Sequence, residues 1–282
     1  MRSRFVTVVA LTLVAPACGF HATAVNGSPG DAGDAGAAEA MVPMDSSVGL
    51  DAPQDSSVTD APQLCFGTGV VQVCLAQLPT AQLTVSSNQA IVTDVGSSSC
   101  VATTNPAAAG YCVVAATAIQ IDNNRTLRGT GARPLVLVST STFSLSGTID
   151  VASHPTSPGA GGNSTACVAG TAGGVTGGSG GGGCGGSFGG KGSNGETNGG
   201  SGGVASPAVV PDVLRGGCPG SKGGNQGPLG NGGDGGGAVA LIAVTMMTIS
   251  GTINASGSGG QCGNIQHAGA PGGGSGGMIV LD

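Results

Sequence analysis

Residues 171–190 repeat one four-residue pattern five times, Thr-Ala-Gly-Gly, Val-Thr-Gly-Gly, Ser-Gly-Gly-Gly, Gly-Cys-Gly-Gly and Ser-Phe-Gly-Gly. From 159 to 203, 22 of 45 residues are glycine. No stretch of this kind can build a side-chain core, because it carries almost no side chains. It must either form loops or pack backbone against backbone. Ordering glycine costs more conformational entropy than ordering any other residue, which favours loop excursions. The absent side chains also let extended segments approach closely, which gives polyglycine-II-like packing as the other reading. Collagen is excluded, since glycine does not fall at every third position.

On either side of this block the pattern changes to short apolar runs rich in β-branched residues. They recur at 83–85, 91–93, 113–115, 119–121, 135–138, 143–145, 149–151, 239–244, 247–249, 253–255 and 278–281, separated by Ser, Thr, Asn and Gly. Runs of this length and spacing predict strands rather than helices. Two of these segments match without a gap at an offset of 104. Residues 135–150 read LVLVSTSTFSLSGTID and residues 239–254 read VALIAVTMMTISGTIN. A third copy begins at Gly276, matching Gly236, and stops at Asp282. Repeats that bury apolar residues only against their neighbours are the mark of stacked architectures. The expected fold class is therefore all-β, a right-handed parallel β-helix or β-solenoid with long Gly-rich loop insertions. A β-sandwich and polyglycine-II packing are the alternatives. Ending on an apolar strand leaves an open edge, so a chain truncated at the C-terminus is also considered.

The domain organisation follows from composition. Residues 1–18 have a charged start (Arg2, Arg4), a ten-residue apolar run from Phe5 to Val14, and Ala15-Pro16-Ala17-Cys18. The run is too short to span a bilayer, and the segment resembles a bacterial lipoprotein signal in which Cys18 is lipidated. By analogy with Gram-negative lipoproteins, Gly19 rather than Asp after this cysteine implies export to the outer membrane. Residues 19–63 hold seven acids and no Lys or Arg, and repeat Asp-Ser-Ser-Val before Asp-Ala-Pro-Gln twice. Low hydrophobicity with charge of one sign predicts a disordered acidic tether. Residues 64–282 form the Gly-rich β-solenoid domain.

Beyond Cys18, eight cysteines remain: Cys65, Cys74, Cys100, Cys112, Cys167, Cys184, Cys218 and Cys262. An even number in an exported chain predicts disulfides. The short separations favour Cys65–Cys74 and Cys100–Cys112, with the other four stapling the Gly-rich part. No Cys-x-x-Cys occurs, and His21, His154 and His267 are scattered, so no metal or other cofactor is predicted.

The signal with its cysteine, the Asp-Ala-Pro tether, Leu135-Val136-Leu137-Val138, the Ser-Gly-Thr-Ile-Asp-Val run at 146–151, Gly185–Gly190, Leu214–Gly220 and Gly277–Asp282 occur together. In this combination the chain resembles Gly-rich, β-helix-like surface lipoproteins of the myxobacterial type. That group is largely of unknown function, and its longer members continue past the position of Asp282. The resemblance carries over no catalytic residue.

Chemical motifs are weak. Gly185 to Lys191 has the spacing of a phosphate loop, but Gly192 stands where Ser or Thr would hold magnesium. Gly230 to Asp234 is a single calcium-like turn without the apolar residue that should follow. The net charge of −6 and an aromatic content of 2% argue against nucleic acid, which needs clustered cations or stacking rings. The folded part carries Asp94, Asp122, Asp150, Glu196, Asp212, Asp234 and Asp282, all isolated in sequence, and Arg125, Arg128 and Arg133 beside Asp122. Polysaccharide-cleaving enzymes need two carboxylates close together. The sequence therefore predicts no enzyme. It predicts a lipid-anchored envelope protein with a structural or adhesive role, whose partners are the membrane and a polysaccharide or another envelope protein. A divergent carbohydrate-active β-helix enzyme and a truncated product without function are the alternatives.

Overall fold

The computed structural model describes residues 64–282 apart from 156, 198–199, 209, 226–229 and 262–266. The predicted signal and tether lie outside the described residues. The described part is all-β, and its one helical element is a 3₁₀ turn at Pro106–Gly110.

The first two strands, β1 (Leu64–Phe66) and β2 (Val73–Leu75), form an antiparallel pair with Cys65 opposite Cys74. The chain then visits three parallel sheets in a fixed cyclic order. β3 (Leu83–Val85), β4 (Gln89–Val92) and β5 (Cys112–Ala116) start the first, second and third sheets. β6 (Ile119–Ile121), β7 (Thr126–Thr130) and β8 (Leu135–Ser139) add one strand to each in the same order. β9 (Thr142–Leu145) and β10 (Thr148–Asp150) continue the first two sheets. A small antiparallel pair, β11 (Val175–Thr176) and β12 (Ser179–Gly180), lies within the Gly-rich insertion. Gly177 and Gly178, with φ of 60° and 83°, make its two-residue turn, the left-handed geometry that such hairpins favour. β13 (Val239–Ala243), β14 (Met246–Ile249), β15 (Thr252–Asn254) and β16 (Ile279–Leu281) complete the order.

The repeat at offset 104 is thus a strand pairing. Leu135 stands opposite Val239, Thr142 opposite Met246 and Thr148 opposite Thr252. The third copy pairs too, with Leu281 opposite Leu241. The sheets are parallel throughout, unlike the antiparallel sheets of a sandwich.

Alternation sets the core. In β9 and β10, Phe143, Leu145 and Ile149 are buried while Thr142, Ser144, Thr148 and Asp150 are not. The buried set joins Ile119, Ile121, Leu127, Leu135, Leu137, Val239 and Leu241 in one cluster. Each such side chain contributes about 1.5–3 kcal/mol by leaving water. The third sheet is apolar on both faces, because Val136, Val138, Ala240 and Ile242 pack outward against Val71, Val73 and Leu75 of the β1–β2 hairpin. That explains the unbroken apolar runs of β8 and β13.

The Gly-rich insertion departs from the loop expectation. Gly180, Gly183 and Gly186 donate to the carbonyls of His267, Ala270 and Gly273. Gly182 and Gly185 donate to Glu196 and Ser193, and the carbonyls of Gly181 and Cys184 accept from Gly224 and Ser221. One neighbour is met at every third residue, the periodicity of a polyproline-II helix with its three residues per turn. Segments 269–275 and 218–224 obey the same rule, with Gly269, Gly272 and Ser275 donating to Gly224, Ser221 and Cys218. A Cβ on Gly181 or Gly272 would overlap the carbonyl oxygen of Ser201 or Cys184. The missing side chains therefore let the segments approach until their peptide groups satisfy one another, as buried peptide groups must.

Candidate functional site

Part of the outward surface of the first two sheets forms straight polar ladders, with neighbouring strands about 4.8 Å apart, while the exposed Met246 and Val92 interrupt the polar surface of the first and second sheets. On the first sheet Thr84, Gln120, Ser144 and Thr248 stand in register. On the second, Thr126, Thr148 and Thr252 form one column, and Arg128, Asp150 and Asn254 form the next. Both columns point away from the core because Leu127 and Ile149 between them point into it.

The charged part of this surface centres on Asp150. Its Oδ2 accepts from Arg128 Nη1 at 2.5 Å and lies 3.2 Å from His154 Nε2. Its Oδ1 accepts from the Ala152 amide. Arg128 Nη2 also donates to Ser157 Oγ at 3.3 Å, and the backbones of His154 and Ser157 bond to each other in both directions. His154 is the outermost of these groups, about half exposed. Arg128 lies 22 residues before Asp150, one circuit of the three sheets, and adjacent strands bring the two side chains together.

The remaining sequence candidates are dispersed. Arg133 is used internally, donating to the carbonyls of Thr93, Asp94 and Tyr111, so the three arginines do not form one anion site. Arg125 is exposed. Asp94 accepts from the Ala132 amide, Asp122 from Gln120 Nε2, and Asp282 from Thr68. Asp234 bonds Asn163 Nδ2, and Asn163 Oδ1 accepts from the Gly235 amide, so the calcium-like turn uses its carboxylate to hold two backbone segments together. Glu196, Asp212, Lys191 and His267 are exposed. Among the described residues no three His, Cys, Asp or Glu side chains gather in a metal-binding group.

Disulfides join Cys65 to Cys74, Cys100 to Cys112 and Cys167 to Cys218. Cys184, expected in a disulfide, instead carries a free, buried thiol, its Sγ 3.5 Å from the Thr171 carbonyl oxygen. The other described cysteines are paired with one another, which leaves Cys184 without a disulfide among the described residues. Cys18, Cys262 and His21 lie outside the described residues.

A cavity of about 540 Å³ opens between the segment after β2 (Ala76, Gln77, Leu78, Pro79, Thr80) and Val101, Ala102 and Ala115 in and before β5. Its lining carries no ionisable group. No helix among the described residues is long and apolar enough to cross a membrane.

The chain matches no protein-family model, no curated protein and no solved structure.

Proposed function

We propose that this chain is a lipid-anchored cell-envelope protein with a structural or adhesive role. Its folded part is a three-faced, right-handed parallel β-helix. Cys18 carries the anchor at the outer membrane, and residues 19–63 hold the β-helix away from the bilayer. Adhesion runs through shallow polar contacts with a polysaccharide or another envelope protein.

The observation that supports this reading best is the ladder of Thr126, Thr148 and Thr252 beside Arg128, Asp150 and Asn254. Hydroxyls, amides and one ion pair repeated at the strand spacing can donate to and accept from sugar hydroxyls in series. Disulfides at Cys65–Cys74, Cys100–Cys112 and Cys167–Cys218, together with a backbone-bonded glycine bundle, suit a protein displayed in an oxidising space.

Two measurements test it. The protein extracted from its native membrane should have the mass of a chain beginning at Cys18 with acyl groups attached; a lipid-free chain overturns the anchor. The full chain should be retained by envelope polysaccharide, and Thr126→Val, Thr148→Val and Thr252→Val together should release it. Retention unchanged in the triple variant overturns the assignment of this face.

A further inference from the structure

The Cys167–Cys218 disulfide closes a separation of 51 residues and ties the beginning of the Gly-rich insertion to the segment leading into β13. Arg215 lies against it. Its Nη1 donates to both sulfurs, 3.8 Å from Cys167 Sγ and 3.7 Å from Cys218 Sγ. The residue is 5% exposed, and its guanidinium carbon sits 4.6 Å from the centroid of the Phe188 ring. In Cys100–Cys112 the neighbour is of the opposite kind, since Cys100 Sγ faces the carbonyl oxygen of Val92.

This difference matters for sulfur chemistry. A cation beside a cysteine favours its thiolate. In thiol–disulfide exchange the sulfur whose thiolate is better stabilised leaves faster. A guanidinium held out of water is a stronger partner than one on the surface. The two sulfurs are also unequal in access, because Cys218 is buried while Cys167 is partly exposed.

We propose that Cys167–Cys218 is a thiol-exchange site, opened by an external thiol through attack on Cys167 with Cys218 as the leaving group. The incoming thiolate forms a bond to Cys167 Sγ as the Cys167–Cys218 bond breaks. The electron pair of that bond goes to Cys218 Sγ, which remains a thiolate facing Arg215. With a dithiol, the second thiol loses its proton to solvent and displaces Cys167, which takes a proton up. The dithiol is oxidised to its disulfide and the protein disulfide is reduced; counted from the fully protonated dithiol, one proton is released overall, the one lost in forming the incoming thiolate. Opening this bond removes the covalent tie between the insertion and residue 218, leaves the backbone hydrogen bonds of Ser221 and Gly224 to the insertion in place, and leaves Cys65–Cys74 and Cys100–Cys112 closed.

The test treats the full chain with dithiothreitol for graded times, quenches with an alkylating agent and maps the labelled cysteines. Cys167–Cys218 should open about tenfold or more faster than Cys100–Cys112. With glutathione, a monothiol, the mixed disulfide should form on Cys167. Arg215→Gln should bring the opening rate close to that of Cys100–Cys112, and Arg215→Lys should restore part of the difference. The proposal is overturned if Cys100–Cys112 opens first or together with it, or if glutathione is found on Cys218. It is also overturned if a folded Arg215→Gln chain keeps the original order. Should neither Arg215 variant fold, the wild-type order and the position of the glutathione adduct decide the matter.

Discussion

Ile149 stands directly opposite Ile253, 104 residues later in the chain, and opposite Leu127 on its other side. Ile149 is fully buried, whereas Ile253 on the last strand of the same sheet is only partly so. Truncating Ile149 to Ala leaves a cavity with neighbours on both sides and should cost about 2–5 kcal/mol. Ile253→Ala should cost about half as much, because water can reach the space. Urea unfolding of the two variants measures both, and equal costs would contradict the difference in burial.

The glycine bundle makes a sharper distinction between residues of one type. Gly272→Ala drives a methyl group into the Cys184 carbonyl, and overpacking of this kind costs about 1–3 kcal/mol or more. Gly189 has nothing within 4 Å of where its Cβ would be, so Gly189→Ala should change stability by less than about 0.5 kcal/mol. Thermal melts of the pair suffice. If both are neutral, the bundle does not form in solution.

Tyr111 is the only tyrosine of the chain and there is no tryptophan, so its ionisation can be followed by tyrosinate absorbance. Burial raises its hydroxyl above the ordinary value of 10.0, a hydrogen bond with the Leu214 backbone works against that, and the charge of Asp212 adds to it. The unfolded chain therefore releases this proton first as pH rises. The stability contributed by the neutral phenol is complete below about pH 10 and is lost as pH climbs through the higher folded value. Tyr111→Phe should remove that part of the alkaline loss, which denaturant titrations on either side of pH 10 would read.

Cys184 should resist a maleimide reagent in the native protein and react on denaturation without reductant. Peptide mapping identifies the labelled residue. Rapid native labelling would contradict its burial, and labelling only after reduction would contradict the free thiol.

Much of the strand pattern was legible because β-branched runs such as Leu135–Val138 combine alternation with a repeat at a fixed offset. The Thr126–Thr130 strand carries little strand signal, since Thr-Leu-Arg-Gly-Thr has a single large apolar residue. Yet Thr126-Leu127-Arg128 stands in register beside Thr148-Ile149-Asp150, which stands beside Thr252-Ile253-Asn254. Aligning these three would have placed Arg128 beside Asp150. The hairpin strands Leu64–Phe66 and Val73–Leu75 are not legible from the sequence, because they pack on the outer face of a sheet whose strands come much later in the chain, and short runs do not announce so distant a surface. The local disulfides followed from spacing. The arrest of Cys184 as a thiol and the seat of Arg215 on Cys167–Cys218 depend on how glycine segments stack, which composition alone leaves undetermined between loop and bundle.

The glycine bundle has a calorimetric consequence. Unfolding the sheets exposes apolar surface and raises the heat capacity, while unfolding the bundle exposes mainly peptide groups, which lowers it. The sheets and the bundle thus contribute with opposite sign. The molecule should gain and lose stability with temperature along a broader, flatter curve than a chain of this length with a conventional core, and cold should weaken it little.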